Sequence, residues 1–294
     1  MFDTYKSQML GLYYLATLPQ RRQAAQERQA AGRVPIMSLL YHRVANVHPN
    51  TWTIGWERFR YQMEWLSERF DVVSLAEAQQ RIAAGENTRP TVCITFDDGY
   101  AENCDKAIPW LIEHKIPVTY FVTSDNILSG RPFPHDVAAN CPLQPNTAAQ
   151  IQAMAEAGIE IGAHTRTHPD LGRVTCLDEL TEEIIGSKQD LEALLDKPVK
   201  YFAFPYGLHQ NMTIAGFSIA YQAGFSGVCS AYGAYNMPGN DSFHIQRIHG
   251  DPQWSRFLNW MTVDPRKIYK QIPFNPGNYR DSSSASLERH EFPH

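Results

Sequence analysis

Between residues 34 and 261, segments that resemble buried strands alternate with segments that have the spacing of amphipathic helices. The strand-like segments are 34–42, 72–75, 91–96, 118–122, 159–163, 199–204, 225–229 and 244–248. The helix-like segments are 56–70, 76–84, 103–114, 147–157, 177–195, 212–223 and 254–261. This alternation predicts an α/β fold with a parallel sheet and outer helices, either closed into a barrel or open. Enzymes built on parallel strands collect their chemistry at the carboxyl ends of the strands, so polar residues there are the candidate site residues.

Composition supports a large folded core and excludes one class of function. Hydrophobic residues make up 43% of the 294 residues and charged residues 19%, which excludes global disorder. The chain has 31 acidic and 26 basic residues, a net charge of −5, and this argues against nucleic-acid binding through bulk charge.

The two ends of the chain are expected to lie outside the central domain. Residues 1–33 are predicted to form an N-terminal helical extension, residues 34–272 the catalytic domain, and residues 273–294 a flexible tail. The apolar stretch 9–18 is too short to span a bilayer of ~30 Å and is a poor signal peptide, because Asp3 precedes it and no cleavage site follows.

The five cysteines are widely spread and form no C-x-x-C pair, which indicates neither a disulfide framework nor a cysteine zinc site. They favour a cytoplasmic location, while an exported or envelope-associated one stays open.

The first polar break in the alternation is Asp97-Asp98-Gly99, directly after the buried segment 91–96. Burying two adjacent carboxylates is costly unless a cation or a proton intervenes. One acid can therefore bind a metal while the other faces a substrate water. A solvated turn is the alternative interpretation, since Asp-Asp-Gly is also common in turns.

The second break is His164-x3-His168, again just after an apolar strand-like segment. Pro169 disfavours a helix here, so we expect the two imidazoles to lie on a loop. Two unrelated histidines would be the alternative. Together with Asp98 they make a three-ligand site that leaves coordination positions open, which is typical of a catalytic divalent metal. Zinc is favoured, and cobalt or nickel would suit the same ligands.

Two further strand-like segments end in candidate site residues. Segment 199–204 runs into Pro205-Tyr206-Gly207, where a turned backbone could aim the Tyr206 N–H at an oxyanion; a plain aromatic strand with a turn is the alternative. His42 ends the first strand of the body, and it is either a structural histidine or part of the same mouth.

These segments together resemble the polysaccharide deacetylase family, the NodB-homology domain of carbohydrate esterase family 4. The matching segments are TFDDGY at 95–100, HTRTH at 164–168 and FAFPYG at 202–207, in the family's order. The resemblance covers roughly 34–261 and implies a distorted barrel of the (β/α)7 type. It also implies that Asp97 is the general base, that Asp98, His164 and His168 bind the metal, and that Tyr206 supplies an oxyanion donor.

The sequence departs from the family pattern in two places. Ala203 stands where the third motif commonly has an arginine, and no fourth motif of the D-x-D-W type is visible. A subgroup that acts on bacterial exopolysaccharides has a permuted arrangement, with the acid histidine on an N-terminal strand, and SLLYHRV at 38–44 is similar to it. This implies His42 as the general acid, with His249 as the second candidate.

The predicted activity is metal-dependent removal of N-acetyl groups from a polysaccharide or oligosaccharide that contains N-acetylhexosamine. An amidohydrolase of the same fold that acts on a small-molecule or lipid-linked sugar amide is the alternative. A non-catalytic carbohydrate-binding module is a second class, which the intact acids and histidines disfavour. The proline-rich segment 124–146 is predicted to be irregular and to shape the substrate entrance, and the oligomeric state is not predicted.

Overall fold

The structure, a computed structural model, describes residues 2–268, residue 274 and residues 276–280. The strands are β1 (Ile36–Tyr41), β2 (Arg43–Val44), β3 (Thr53–Ile54), β4 (Asp71–Val72), β5 (Thr91–Phe96), β6 (Val118–Val122), β7 (Glu160–Ala163), β8 (Tyr201–Ala203), β9 (Gly227–Cys229), β10 (His244–Ile245) and β11 (Ile248–His249). The helices are α1 (Phe2–Ala30), α2 (Trp56–Ser67), α3 (Leu75–Ala84), α4 (Ala107–Glu113), α5 (Ser124–Ser129), α6 (Pro134–Ala138), α7 (Ala148–Glu156), α8 (Leu177–Thr181), α9 (Ser187–Leu195), α10 (Ile214–Gln222), α11 (Trp254–Met261) and α12 (Pro276–Arg280).

The central sheet is parallel throughout, in the order β10-β9-β8-β7-β6-β5-β1-β11, with β4 paired to β5. Strands β1, β5 and β6 are buried along their whole length, because helices cover one face and the curled sheet fills the other. The predicted barrel of parallel strands with outer helices is confirmed. Its carboxyl ends lie together at one end of the barrel.

One short stretch joins the two edges of the sheet. β10 pairs with β9 and β11 pairs with β1, although only Gln246 and Arg247 separate these two strands in the chain. Residues 244–249 therefore bring both edges of the sheet together. They also place Arg247 and His249 within the barrel.

The N-terminal helix is present and packs on α11. Its Arg21 is 3% exposed and donates to Asn259 Oδ1 at 2.6 Å, to the Asn259 carbonyl at 3.0 Å and to Thr262 Oγ1 at 3.1 Å. In the described part of the chain no helix has both the length and the apolar character that crossing a bilayer requires.

Three sequence expectations differ from the structure. The segment 124–146, predicted to be irregular, contains α5 and α6. The single helix expected over 177–195 is interrupted by a π-helical segment, Glu182–Gly186. Within the predicted flexible tail, Phe274 and Tyr279 are buried, because their aromatic rings pack against the ring of Phe217 on α10. Most of the remaining tail lies outside the described residues.

Candidate metal centre and active site

The four strand ends that the sequence singled out meet at one cleft of about 360 Å³. It lies at the carboxyl ends of the strands, as predicted from the parallel topology. Its lining consists of Leu40, His42, Trp52, Asp97, Asp98, His135, His164, His168, Tyr206, Leu208, Ala231 and His249. All six residues predicted as catalytic or metal-binding are therefore in one cavity, together with His249.

The centre of the cleft is a cluster of Asp98, His164 and His168. The Nε2 atoms of His164 and His168 lie 3.4 Å and 3.2 Å from Asp98 Oδ1, and one ligand atom of each residue lies within 4.8 Å of the others. Burial would raise the pKa of Asp98, but the two imidazoles outweigh it and hold the pKa well below its usual range. The carboxylate therefore stays ionised and available as a ligand.

The contacts around this cluster fit a divalent metal. His164 Nδ1 donates to the Ala203 carbonyl at 2.7 Å, which leaves the Nε2 lone pair facing Asp98. Asp98 Oδ1 is a buried oxygen without a hydrogen-bond partner among the described residues. A buried oxygen that has no hydrogen-bond partner and lies within 3.4 Å of two imidazole nitrogens is an arrangement that a cation satisfies.

The loop that carries His168 is held by a buried acid, Glu183. Its carboxylate accepts hydrogen bonds from the backbone N–H groups of Arg166 and Thr167, both at 2.9 Å, and from Thr167 Oγ1 at 2.5 Å. Thr165 Oγ1 also accepts from the His168 N–H at 3.0 Å. Glu183 lies in the π-helical segment, a feature that is frequent near functional sites.

The backbone is strained at these strand ends. Asp98, Thr165, His168 and Tyr206 have φ angles of 72°, 64°, 63° and 60°, in the left-handed region that non-glycine residues rarely adopt. Gly99 has a φ of 97°, and a Cβ there would lie 3.1 Å from Val122 Cγ1, which explains the glycine of the Asp-Asp-Gly turn. Such strained conformations persist only where surrounding contacts hold them in place, and they cluster at functional sites.

The second acid, Asp97, is paired with a residue that the sequence reasoning missed. Arg247 is fully buried and donates to Asp97 Oδ1 at 2.6 Å and to Oδ2 at 2.7 Å. It also donates to the Ser230 carbonyl and to Thr95 Oγ1. Burial raises the pKa of Asp97, but the Arg247 guanidinium outweighs this, and the pKa lies below its ordinary value. The only sequence signal was a charged residue inside the strand-like segment 244–248.

His42 and His249 also line the cleft, with ring centroids 6.2 Å apart. Burial lowers the pKa of His42 although Asp98 and Asp97 act in the opposite direction, and burial together with His42 lowers the pKa of His249 to about 4. A general acid must hold a proton, and the lowered pKa of each of these two histidines opposes this. The assignment of His42, with His249 second, stays a prediction.

The mouth of the cleft carries exposed aromatic side chains. Trp52 is 43% exposed and its ring lies 5.1 Å from that of His42, while Tyr206 is 50% exposed and lies 5.2 Å from His168. Trp52 and His135 line the cleft without having been predicted. Trp52 lies in the turn between β2 and β3, and no motif marked it.

Comparison with known proteins agrees with this geometry. The sequence model of the family described as "Polysaccharide deacetylase" matches residues 84–227, which include Asp97, Asp98, His164, His168 and Tyr206. The chain belongs to the polysaccharide deacetylase family.

Several family members are similar over part of the chain. A peptidoglycan-N-acetylglucosamine deacetylase of Bacillus cereus is 30% identical over 125 residues, covering 42% of this chain and 39% of that protein. A chitooligosaccharide deacetylase of Bradyrhizobium sp. is 28% identical over 126 residues, covering 42% of this chain and 50% of that protein. A candidate polysaccharide deacetylase of Bacillus subtilis is 26% identical over 196 residues, 65% of this chain. The alignment spans 63% of the length of this last relative, so the chain covers less than two thirds of each of these three relatives.

Solved structures of the family share the fold. IcaB from Ammonifex degensii superposes with a TM-score of 0.66 at 24% identity, covering 78% of this chain and 98% of that one. The deacetylase PplD of Streptococcus pyogenes, solved with acetate, superposes with a TM-score of 0.65 at 21% identity over the same shares. These two likenesses establish the (β/α) barrel of the family for this chain.

Proposed function

We propose that this protein is a metal-dependent hydrolase that removes N-acetyl groups from N-acetylhexosamine units of a polysaccharide or oligosaccharide. One observation carries the proposal: the buried Asp98, His164 and His168 cluster adjoins a separate ionised acid, Asp97, in an open cleft. Family membership supports the same reaction, because the named relatives are deacetylases.

Asp98 Oδ1 and the Nε2 atoms of His164 and His168 would hold the metal. Zinc is favoured, with cobalt or nickel also suited to two imidazoles and a carboxylate. When bound, such an ion polarises the amide carbonyl and lowers the pKa of a bound water.

Residues of the cleft carry out the two proton transfers and stabilise the oxyanion. Asp97, oriented by Arg247, accepts the proton of the attacking water as general base. His42, or His249 in its place, donates a proton to the leaving amine, because an amide anion is a very poor leaving group. The Tyr206 N–H would stabilise the tetrahedral oxyanion, a contribution of about 3–4 kcal/mol for one such donor.

The rim of the cleft supports a carbohydrate substrate. Trp52, beside His42, and Tyr206, beside His168, expose aromatic surface in the cleft, where the apolar face of a sugar ring can pack. The segment SLLYHRV, which places His42 in the cleft, is similar to a segment of deacetylases that act on bacterial exopolysaccharides, and this supports an exopolysaccharide-type substrate. A small-molecule or lipid-linked sugar amide is the competing outcome of the test.

Metal analysis and acetate release test the proposal together. We expect about one zinc-type ion per chain and metal-dependent acetate release from N-acetylglucosamine oligomers. Asp97→Asn should keep the metal and lose about 10²–10⁴-fold in rate, as expected for loss of a general base. His164→Ala should lose the metal itself.

Two exposed residues outside the cleft provide matched controls, Asp105→Asn and His114→Ala. Both should retain metal and activity. An Asp97→Asn variant with near wild-type turnover would remove Asp97 from the base role. Metal-loaded protein that releases acetate only from monomeric sugar amides would replace the polymer substrate with the small-molecule one.

A further inference from the structure

A second cavity, of about 340 Å³, lies at the opposite end of the barrel from the metal centre. It is enclosed by α1, the end of α11 and the segments that lead into β1 and β5, and we call it the basal pocket. Its walls are mostly apolar, with Tyr14, Leu18, Met37, Phe70 and Val263 among them. Met37 of β1 lines this pocket and Leu40 of the same strand lines the active-site cleft, three residues further on and about 10 Å away at ~3.3 Å per residue.

The charged residues of the basal pocket all have the same sign. Arg21, Arg22, Arg28 and Arg69 line it, and none of the aspartates or glutamates that the structure describes does so. This concentration of positive charge occurs in a chain whose net charge is −5. A cavity with low-dielectric walls and charges of one sign focuses the electric field and attracts the opposite charge.

Arg69 pairs with Glu68 at 2.5 Å, but the charges of Arg21, Arg22 and Arg28 are not neutralised locally. Arg21 is 3% exposed, and its guanidinium donates to Thr17 Oγ1, Asn259 and Thr262 Oγ1 and lies over the rings of Tyr13 and Tyr14, all of them neutral groups. Among the described residues no carboxylate lies within ion-pair distance of Arg21, Arg22 or Arg28. A buried cation without a counter-charge is costly, and an anion bound beside it would reduce that cost.

We propose that the basal pocket binds a single-chain anionic amphiphile, with its carboxylate or phosphate monoester at the arginines and its hydrocarbon chain against the apolar walls. The charge selects an anion, and guanidinium groups bind carboxylate and phosphate oxygens through charge-assisted hydrogen bonds. The apolar lining selects a tail over a hydroxylated molecule, because Gln29 and Thr262 are the only uncharged polar side chains there apart from the Tyr14 hydroxyl and the Trp65 indole. The volume is within the range of small-molecule sites.

Calorimetry with four probes tests the choice of ligand. The probes are dodecyl phosphate below its critical micelle concentration, dodecyl maltoside, dodecyltrimethylammonium and inorganic phosphate. We expect dodecyl phosphate to bind at one per chain and about tenfold or more tightly than each of the others. Equal binding of dodecyl maltoside would overturn the role of the arginines, and equal binding of inorganic phosphate would overturn the role of the tail.

Variants then locate the binding. The double variant Arg22→Gln/Arg28→Gln keeps Arg21, which holds α1 on α11, and should weaken dodecyl phosphate about tenfold or more. Ala25→Trp places a large ring at the pocket wall and should abolish the rise in melting temperature that dodecyl phosphate causes in the wild type. Arg58→Gln, an exposed arginine on α2 outside the pocket, is the matched control and should bind normally.

Normal binding by both pocket variants would show that the amphiphile sits elsewhere and would overturn the proposal. Binding only to vesicles of anionic phospholipid, and not to monomeric dodecyl phosphate, would do the same, because it would indicate a charged surface and not a pocket. No residue of the basal pocket lines the active-site cleft, so acetate release by the same variants should be unchanged. Either proposal can therefore fail without the other.

Discussion

Asp97 and Asp98 are adjacent in the chain, yet their carboxylates have different partners. Both are 3% exposed, but Asp97 is bound by the Arg247 guanidinium and Asp98 faces two imidazoles. The left-handed backbone at Asp98 turns the two side chains apart. Two neighbouring acids can thus remain ionised in one buried site, one available to a metal and one to a water.

The Arg247–Asp97 pair should be needed for stability as well as for orientation. Arg247→Met leaves a buried carboxylate without a partner, and we expect the free energy of unfolding to fall by about 3–5 kcal/mol. Urea unfolding at neutral pH measures this. Adding Asp97→Asn to Arg247→Met should restore part of the loss, because the unpaired charge is gone.

Arg60→Met removes an exposed arginine that pairs with Glu57 and Glu64, and it is the control, expected to leave the free energy of unfolding nearly unchanged. If Arg247→Met is no more destabilising than this control, the pair does not hold the charge of Asp97 in the fold.

At the scale of elements, the interrupted helix after β7 connects stability with the metal centre. The π-helical segment places Glu183 against the loop that carries His168, where its carboxylate accepts three hydrogen bonds. The loop includes strained residues at Thr165 and His168, which need such support. The sequence alone predicts a regular helix over 177–195. That prediction does not indicate that Glu183 supports the loop of His168.

We expect Glu183→Ala to weaken metal binding by about 10–100-fold, the usual cost of removing a residue that orients a metal ligand. Zinc competition with a chelator measures the affinity, and circular dichroism verifies that the variant is folded. Glu183→Gln keeps one acceptor oxygen and should recover part of the affinity.

Glu182→Ala is the neighbouring control, because that side chain contacts Arg166 at the surface and not the loop backbone. Metal affinity that falls equally in the Glu182 and Glu183 variants would mean that the helix as a whole, and not the Glu183 carboxylate, supports His168.

At the scale of the whole molecule, closing the barrel buries histidines in neutral form. Residues 244–249 join the sheet edges, and within them burial lowers the pKa of His244 to about 3 and that of His249 to about 4. In the unfolded chain a histidine has a pKa of about 6.5. At pH values between this and the lowered folded-state pKa, the unfolded chain therefore binds more protons than the folded one. This contribution to stability is complete above pH ~6.5 and is lost as the pH falls.

Each such histidine should reduce the free energy of unfolding by up to about 1.4 kcal/mol per pH unit below ~6.5, or about 2 kcal/mol for His244 between pH 6.5 and pH 5. Urea unfolding at a series of pH values measures the slope. His244→Gln should be less stable at pH 7.5 but show a shallower slope. His114→Gln, at an exposed site, should keep the wild-type slope, and an unchanged slope in His244→Gln would exclude that residue as the source.

The sequence by itself determined the parallel α/β alternation and the residues that gather at one candidate metal centre. These are local features. A buried strand followed directly by Asp-Asp-Gly or by His-x3-His indicates both the strand and the polar side chains at its carboxyl end. The tertiary structure alone decided that Arg247 pairs with Asp97, 150 residues away, although Ala203 had indicated a missing arginine. It also decided how Glu183 and Trp52 meet the site and how Arg21 faces a second cavity. Such contacts depend on which strand edges meet when the barrel closes, and no local pattern encodes that geometry.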